Sequence, residues 1–128
     1  MQAATKIKSY RDLLVWQKGM ALAKMAYKLT ACFPDSERFG LVSQMRRAAV
    51  SVSSNIAEGQ ARQGRREFIQ FLSHAEGSLA ELDTQTLLAI ELGYCAESDG
   101  APLLSLITEL QKMITALRLK LSRLAASH

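Results

Sequence analysis

Apolar residues recur at spacings of three and four positions through the middle of this sequence. The residues that repeat in this way are Val42, Met45, Ala49, Val52 and Ile56. This period predicts an amphipathic helix whose apolar seam packs inside a bundle. Small and apolar residues also lie off the seam, so we expect the helix to be buried on more than one side.

The same periodicity predicts four helices along the chain. They are predicted over residues 9–31, over 36–59 with Ser36 as the N-cap, over 65–93, and from the helix-start signal at 99–102 through residue 124. Pro102 near the start of the last helix and glycines near the breaks fit this division. Four long helices with short links predict an all-α, antiparallel up-down-up-down four-helix bundle.

Each of the other three predicted helices has its own core stripe. The stripes are Leu13, Trp16, Met20, Ala23 and Tyr27 in the first helix; Phe68, Leu72, Ala75, Leu79, Leu82, Thr86 and Ala89 in the third; and Leu103, Ile107, Leu110, Ile114, Leu117, Leu121 and Leu124 in the fourth. A chain of 128 residues with one such core is predicted to form a single domain. We expect residues 1–8 and 125–128 to be flexible.

The sequence contains more small and apolar residues than the core of a single bundle requires. In the second helix, Val50 and Ala57 lie off the seam among serines, and the last turns of the third helix are apolar almost all round. Such residues favour a contact between copies of the chain, and a heterologous contact uses two different patches. The predicted subunit contact comprises Val50, Ser51, Ser54, Ala57, Leu87 and Leu88.

Composition indicates a soluble cytoplasmic protein without a membrane-spanning segment. No run of about 18 uninterrupted apolar residues is present, and the N-terminus lacks the apolar core of a secretory signal. Cys32 and Cys95 are too few for a disulfide framework, so reduced thiols are expected. Both cysteines follow predicted helices that end on the same side of the bundle, and the sequence leaves open whether they ever pair.

Charge is distributed unevenly along the chain. Residues 38–66 contain six arginines and one acidic residue, whereas residues 67–110 contain eight acidic residues and no lysine or arginine. In an up-down bundle, the N-terminus, the 59–64 turn and the C-terminus meet at one end, which gathers Lys6, Lys8, Arg11, Arg62, Arg65, Arg66, Lys120 and Arg123. Such a basic end would attract phosphate groups. The alternative is that these residues are solvated or paired with acidic residues.

The sequence contains no convincing catalytic or metal-binding pattern. Glu67, His74 and Glu81 share one stripe of the third helix, but a di-iron bundle needs Glu-x-x-His pairs, and none occurs. No phosphate-binding glycine loop is present, and no histidine or acid lies beside the serines at 51–54 to activate one. We therefore expect no enzyme activity, no metal and no cofactor.

Three sequence segments resemble a known bacterial family. These are Asp12–Gln17, Gln44–Gly59, and the pair Glu67–Leu72 with Gly77–Leu82. They resemble the four-helix-bundle proteins encoded in 23S rRNA intervening sequences, also labelled the S23 ribosomal protein family. The resemblance implies a bundle that forms ring-like pentamers. It also implies a relation to the accessory proteins of diversity-generating retroelements, which bind nucleic acid and a reverse transcriptase.

Two functions are consistent with these patterns. The favoured one is a homo-oligomer, expected to be a pentamer, that binds nucleic acid, with RNA as the expected ligand. Its predicted contacts are Arg62, Arg65 and Arg66, followed by Arg46 and Arg47, which lie farther along the bundle. The alternative is a protein–protein interaction scaffold that binds an unidentified protein and no nucleic acid.

Overall fold

The computed structural model describes residues 7–126 and confirms an all-α fold of four long helices. They are α1 (Leu14–Thr30), α2 (Leu41–Ala61), α3 (Arg65–Glu91) and α4 (Glu97–Ala126), with short 3-10 helices at Tyr10–Asp12 and Asp35–Glu37. No strand occurs in the described residues. Residues 1–6 and 127–128, part of the segments expected to be flexible, lie outside them.

Side-chain contacts between neighbouring helices establish the antiparallel arrangement. Arg46, near the start of α2, contacts the end of α1, whereas Ser53, farther along α2, contacts Trp16 at the beginning of α1. The guanidinium of Arg65 at the start of α3 contacts the backbone carbonyl of Leu124 near the end of α4. In sequence order the helices surround one core, with α1 and α3 on one diagonal and α2 and α4 on the other.

The core follows the predicted seams of α2, α3 and most of α4. All five predicted seam residues of α2 are buried, and in α3 only Phe68 of the predicted stripe remains partly exposed. In α4 the stripe is buried through Ile114, becomes half-buried at Leu117 and Leu121, and is exposed at Leu124. The core therefore narrows toward the end of α4. None of the described helices combines the length and hydrophobicity needed to cross a membrane.

The predicted core stripe of α1 was wrong at Met20 and Tyr27, whereas Leu13, Trp16 and Ala23 are half-buried and pack against the core. Met20 and Tyr27 are exposed by 38% and 46%, while the buried positions of this helix are Val15, Gly19, Leu22, Ala26 and Thr30. The prediction placed large apolar side chains in the core, whereas the face of α1 that is buried includes residues with small side chains, such as Gly19 and Ala26. Gly19 lies directly against the Ser53 side chain, so the absence of a Cβ there lets α1 and α2 approach closely.

The start of α2 also differs from the prediction, because its N-cap is Gly40 rather than Ser36, and the Glu37 carboxylate accepts the first backbone N–H of the helix. Residues 35–37 form a 3-10 helix, and α2 begins at Leu41. One carboxylate oxygen of Glu37 accepts a hydrogen bond from the Leu41 backbone N–H at 3.0 Å, and the other accepts one from the Tyr94 hydroxyl at 2.7 Å. These two hydrogen bonds, the backbone one foremost, lower the pKa of Glu37.

Gly59 does not end α2 as predicted but is buried inside it. The helix continues to Ala61, and the left-handed backbone conformation falls on Gln63, with φ of 66°. A methyl group at Gly59 would lie 2.7 Å from Cβ of Phe71 and 3.0 Å from a ring carbon of Phe68. The glycine therefore permits close packing of α2 on α3 rather than a turn.

The turn between α3 and α4 is closed by a glycine, as the sequence predicts. Gly93 has φ of 77°, and the Tyr94 N–H donates to the Ala89 carbonyl at 2.9 Å, which is the Schellman arrangement of a helix end. The next helix begins at Glu97, two residues before the predicted start signal at 99–102. Pro102 consequently lies inside α4 rather than at its first position.

We predict that Glu37→Gln lowers the melting temperature at neutral pH. A depressed native pKa means that the ionised carboxylate contributes stability above the unfolded pKa of 4.5 and that this contribution is lost as the pH falls through the native value. The difference between wild type and variant is therefore expected to shrink under acidic conditions. Thermal unfolding followed by circular dichroism over a pH series measures this difference.

Glu91→Gln is the matched control, because Glu91 is an exposed carboxylate at the end of α3 that forms no hydrogen bond or ion pair within the described residues. It removes the same charge and leaves the cap intact. If Glu37→Gln and Glu91→Gln shift the melting temperature equally at every pH, then Glu37 does not cap α2.

Candidate nucleic-acid interface

The up-down topology brings the predicted basic residues to one end of the bundle. The turn between α2 and α3 lies there, together with the start of α1 and the end of α4. The described cations at this end are Lys8, Arg11, Arg62, Arg65, Arg66, Lys120 and Arg123; Lys6 lies outside the described residues. We call this group the basic end.

Arg62 is held by contacts within its own chain. Its guanidinium forms an ion pair with Glu58 at 2.8 Å, approaches Glu67 at 3.7 Å, and lies 5.4 Å from the ring centre of Phe71. The hydrogen bond to Glu58 is the main cause of the raised pKa of Arg62. Arg62 therefore connects α2 to α3, and its charge is largely balanced by its neighbours.

Arg65 and Arg66 differ from Arg62 in their contacts. Arg65 donates one hydrogen bond to the Leu124 carbonyl at 3.3 Å, which joins the start of α3 to the end of α4 without neutralising the charge. Arg66 is exposed, and none of the described residues forms an ion pair or hydrogen bond with its guanidinium. Of the three arginines, Arg66 is the most available to an external anion.

The acidic residues near the basic end already form hydrogen bonds or ion pairs within the chain. The Asp12 carboxylate accepts hydrogen bonds from the backbone N–H groups of Lys8 at 2.8 Å and Ser9 at 3.2 Å, and these bonds lower the pKa of Asp12. Glu58 and Glu67 both face Arg62. Seven described cations therefore face three acidic side chains, and this end carries a net positive charge.

Arg46 occupies a different place and has a structural role. It donates from Nε to the Thr30 hydroxyl at 2.9 Å and from a terminal nitrogen to the Tyr27 carbonyl at 3.2 Å. Its guanidinium also stacks 4.5 Å from the centre of the Tyr27 ring. These contacts attach α2 to the end of α1, where a cation also complements the helix dipole.

Arg47 is exposed and forms no hydrogen bond or ion pair within the described residues. Fifteen helical residues separate it from Arg62, which corresponds to roughly 22 Å along α2. The structure therefore brings together Arg62, Arg65 and Arg66 of the predicted binding residues, and it does not bring Arg46 or Arg47 to the same surface.

The residues predicted for the subunit contact divide into two groups. Val50, Ser54, Leu87 and Leu88 are exposed, whereas Ser51 and Ala57 are half-buried. The Ser51 hydroxyl accepts hydrogen bonds from Ser78 and from Asn55, both at 2.9 Å, so its polar contacts lie within the bundle. The exposed group stays available for a contact between chains, and that contact remains a prediction.

Phe39 is a surface residue that the sequence analysis missed. Its side chain is 90% exposed, next to Arg38, whose guanidinium carbon lies 5.5 Å from the ring centre. In a helix beginning at Ser36, as predicted, Phe39 would precede Val42 by three residues and share the core seam. Because α2 begins at Leu41 instead, Phe39 lies before the helix and points outward.

A family model for the 23S rRNA-intervening sequence protein matches residues 11–116. The match covers most of the 128 residues and includes all three segments that carry the resemblance in the sequence. The chain belongs to this family. A comparison with curated proteins found no match.

The fold of this family member is also found in a solved structure. It is similar to a protein of unknown function from the S23 ribosomal protein family of Bacteroides thetaiotaomicron VPI-5482, with a TM-score of 0.74 and 23% sequence identity. The similarity covers 82% of this chain and 98% of the other. At this level of identity the comparison establishes the shared fold.

The two cysteines line one surface groove between the end of α1 and the start of α4. Both are free thiols, and burial raises the pKa of the Cys95 thiol, with Asp99 adding to the shift. Cys95 is therefore less reactive than an ordinary surface thiol. Among residues 7–126, no group of three or more histidine, cysteine or acidic side chains is arranged to hold a metal ion.

We predict that Arg46→Lys destabilises the protein by about 1 kcal/mol, because lysine keeps the charge but cannot make the forked contacts to Thr30 and Tyr27. Chemical denaturation measures this change in the free energy of unfolding. Arg47→Lys is the matched control, since Arg47 is exposed, and we expect it to leave the free energy of unfolding unchanged. Equal stability of the two variants would contradict a structural role for Arg46.

Proposed function

We propose that this family member is a non-enzymatic, oligomeric, cytoplasmic protein that binds RNA through its basic end. The observation that carries the proposal is the cluster of cations around Arg65 and Arg66, whose nearby acidic residues are already engaged. A surface with uncompensated cations attracts the phosphate backbone by Coulomb attraction and by release of counterions.

The start of α3 supports the same proposal. Gly64 is the N-cap of this helix, and no side chain caps it. The first N–H groups of a helix and its positive dipole end favour an anion. Because Arg65 and Arg66 belong to this first turn, one phosphate can accept hydrogen bonds from the backbone while the arginines supply charge.

Assembly would strengthen such contacts. We propose a cyclic pentamer, in which each subunit presents its own copy of the basic end. A ring would then offer five equivalent clusters to one RNA, and multivalent binding converts weak single contacts into a tight complex.

We predict that the triple variant Arg62→Ala, Arg65→Ala, Arg66→Ala binds RNA about tenfold more weakly or worse at low salt, because phosphate contacts dominate affinity. Fluorescence anisotropy with a labelled RNA hairpin measures the affinity. Circular dichroism and light scattering establish that helicity and subunit number are retained. Arg66→Ala alone is expected to account for most of the loss, since Arg62 is largely balanced by its neighbours.

The matched control removes three positive charges elsewhere: Lys24→Ala, Lys28→Ala, Lys112→Ala. These lysines are exposed and form no hydrogen bond or ion pair within the described residues, and their replacement changes the net charge by the same amount. We expect this variant to bind the hairpin with nearly wild-type affinity. Equal losses in both triple variants would show that only net charge matters, and an unaffected first variant would favour a protein-interaction scaffold.

A further inference from the structure

The surface around Phe39 has the composition of a protein-binding hot spot. The exposed phenyl ring lies beside Arg38, and the adjoining concave surface is lined by Tyr27, Arg47 and Val50. Aromatic residues and arginine are enriched at the centres of protein interfaces. We call Tyr27, Phe39, Arg47 and Val50 the Phe39 surface.

The charge of the Phe39 surface is positive. Three arginines and no acidic residue line its concave part. Arg46 is occupied by the end of α1 and Arg38 lies over Phe39, whereas Arg47 forms no hydrogen bond or ion pair among the described residues. A partner for this surface must therefore combine an apolar contact for the phenyl ring with a negative charge for Arg47.

The presence of a glycine at position 77 has no packing explanation within a single copy of the chain. Glycine disfavours the interior of a helix, and three other helical glycines have a packing reason. Gly19 lies against Ser53, and a Cβ at Gly59 or at Gly100 would meet a neighbouring side chain within 2.8 Å. Gly77 is exposed near the middle of α3, and a Cβ there would have nothing within 4 Å.

The outer face of α3 leaves the backbone of Gly77 open. Helical spacing places Ser73, Ala80 and Glu81 one turn from Gly77, and Thr84 and Leu88 two and three turns along the same face, and all five are exposed. Glu81 has no cationic partner among the described residues, and residues 67–110 contain no lysine or arginine. We call these five residues and Gly77 the Gly77 face.

We infer that the Phe39 surface of one copy docks on the Gly77 face of a second copy. The phenyl ring packs over the Gly77 backbone, and Arg47 faces Glu81. The two surfaces complement each other in shape, since one projects and the other lacks a side chain, and in charge. The contact is not made within one chain, because apart from its chain neighbours and the nearby backbone of α3, no described atom lies within 4 Å of the Cβ position at Gly77.

The contact joins two different patches, so each docked copy keeps one free Phe39 surface and one free Gly77 face. Such heterologous contacts continue from copy to copy until a ring closes. This inference names the contact of the proposed oligomer and rests on that part of the proposed function.

Light scattering at micromolar concentration tests the contact with Phe39→Ala and Gly77→Ala. We expect each variant to weaken subunit association by about tenfold or more, which is typical of a central interface residue. Gly77→Ala is informative because alanine favours the helix, so loss of assembly with full helicity cannot arise from unfolding. Thr108→Ala, on the exposed side of α4, is the matched control for helix propensity and should leave the mass unchanged.

A charge exchange identifies the partner of Arg47. Arg47→Glu and Glu81→Arg should each reduce the oligomer mass, and an equimolar mixture of the two variants should recover association through the exchanged pair.

If the wild-type protein is oligomeric and neither Phe39→Ala nor Gly77→Ala changes the mass of the oligomer, this contact is overturned and the oligomer proposal stands. A monomeric wild-type protein would overturn both this contact and the oligomer proposal. RNA binding by the Arg62–Arg66 cluster is measured separately. Reduced RNA affinity of Phe39→Ala at unchanged mass would show that RNA occupies the surface instead.

Discussion

The close approach of α2 to both of its neighbours is the constraint on which the bundle depends. Gly19 of α1 admits Ser53, and Gly59 admits Phe71 of α3. The Ser51–Ser78 hydrogen bond joins α2 and α3 between these points. Short side chains at the crossings allow three helices to pack with their backbones close together, and the large apolar residues fill the space shared with α4.

This packing converts the charge pattern of the sequence into a pattern in space. Successive helices run in opposite directions, so the turn that carries Arg62, Arg65 and Arg66 meets the start of α1 and the end of α4. The acidic segment 67–110 runs along α3 to the opposite end and returns through the first half of α4. The basic end and the exposed carboxylate of Glu81 on the outer face of α3 therefore both follow from the topology.

The number of helices and the seams of α2 and α3 could be predicted because large apolar residues mark them with a regular period. The core face of α1 could not, since Gly19 and Thr30 are buried there while Met20 and Tyr27 are exposed. The roles of individual arginines also required the structure. Sequence proximity grouped Arg62 with Arg66, but Arg62 pairs with Glu58, whereas Arg66 has no ion pair in the part of the chain that the structure describes.

The salt dependence of RNA binding tests the central claim most directly. If the basic end binds phosphate groups, the logarithm of the association constant falls linearly with the logarithm of salt concentration. The slope is expected to be about −0.7 to −0.9 per phosphate contact. A steep negative slope for the wild-type protein on a labelled RNA hairpin is the predicted result. Weak binding that does not change with salt would contradict the account.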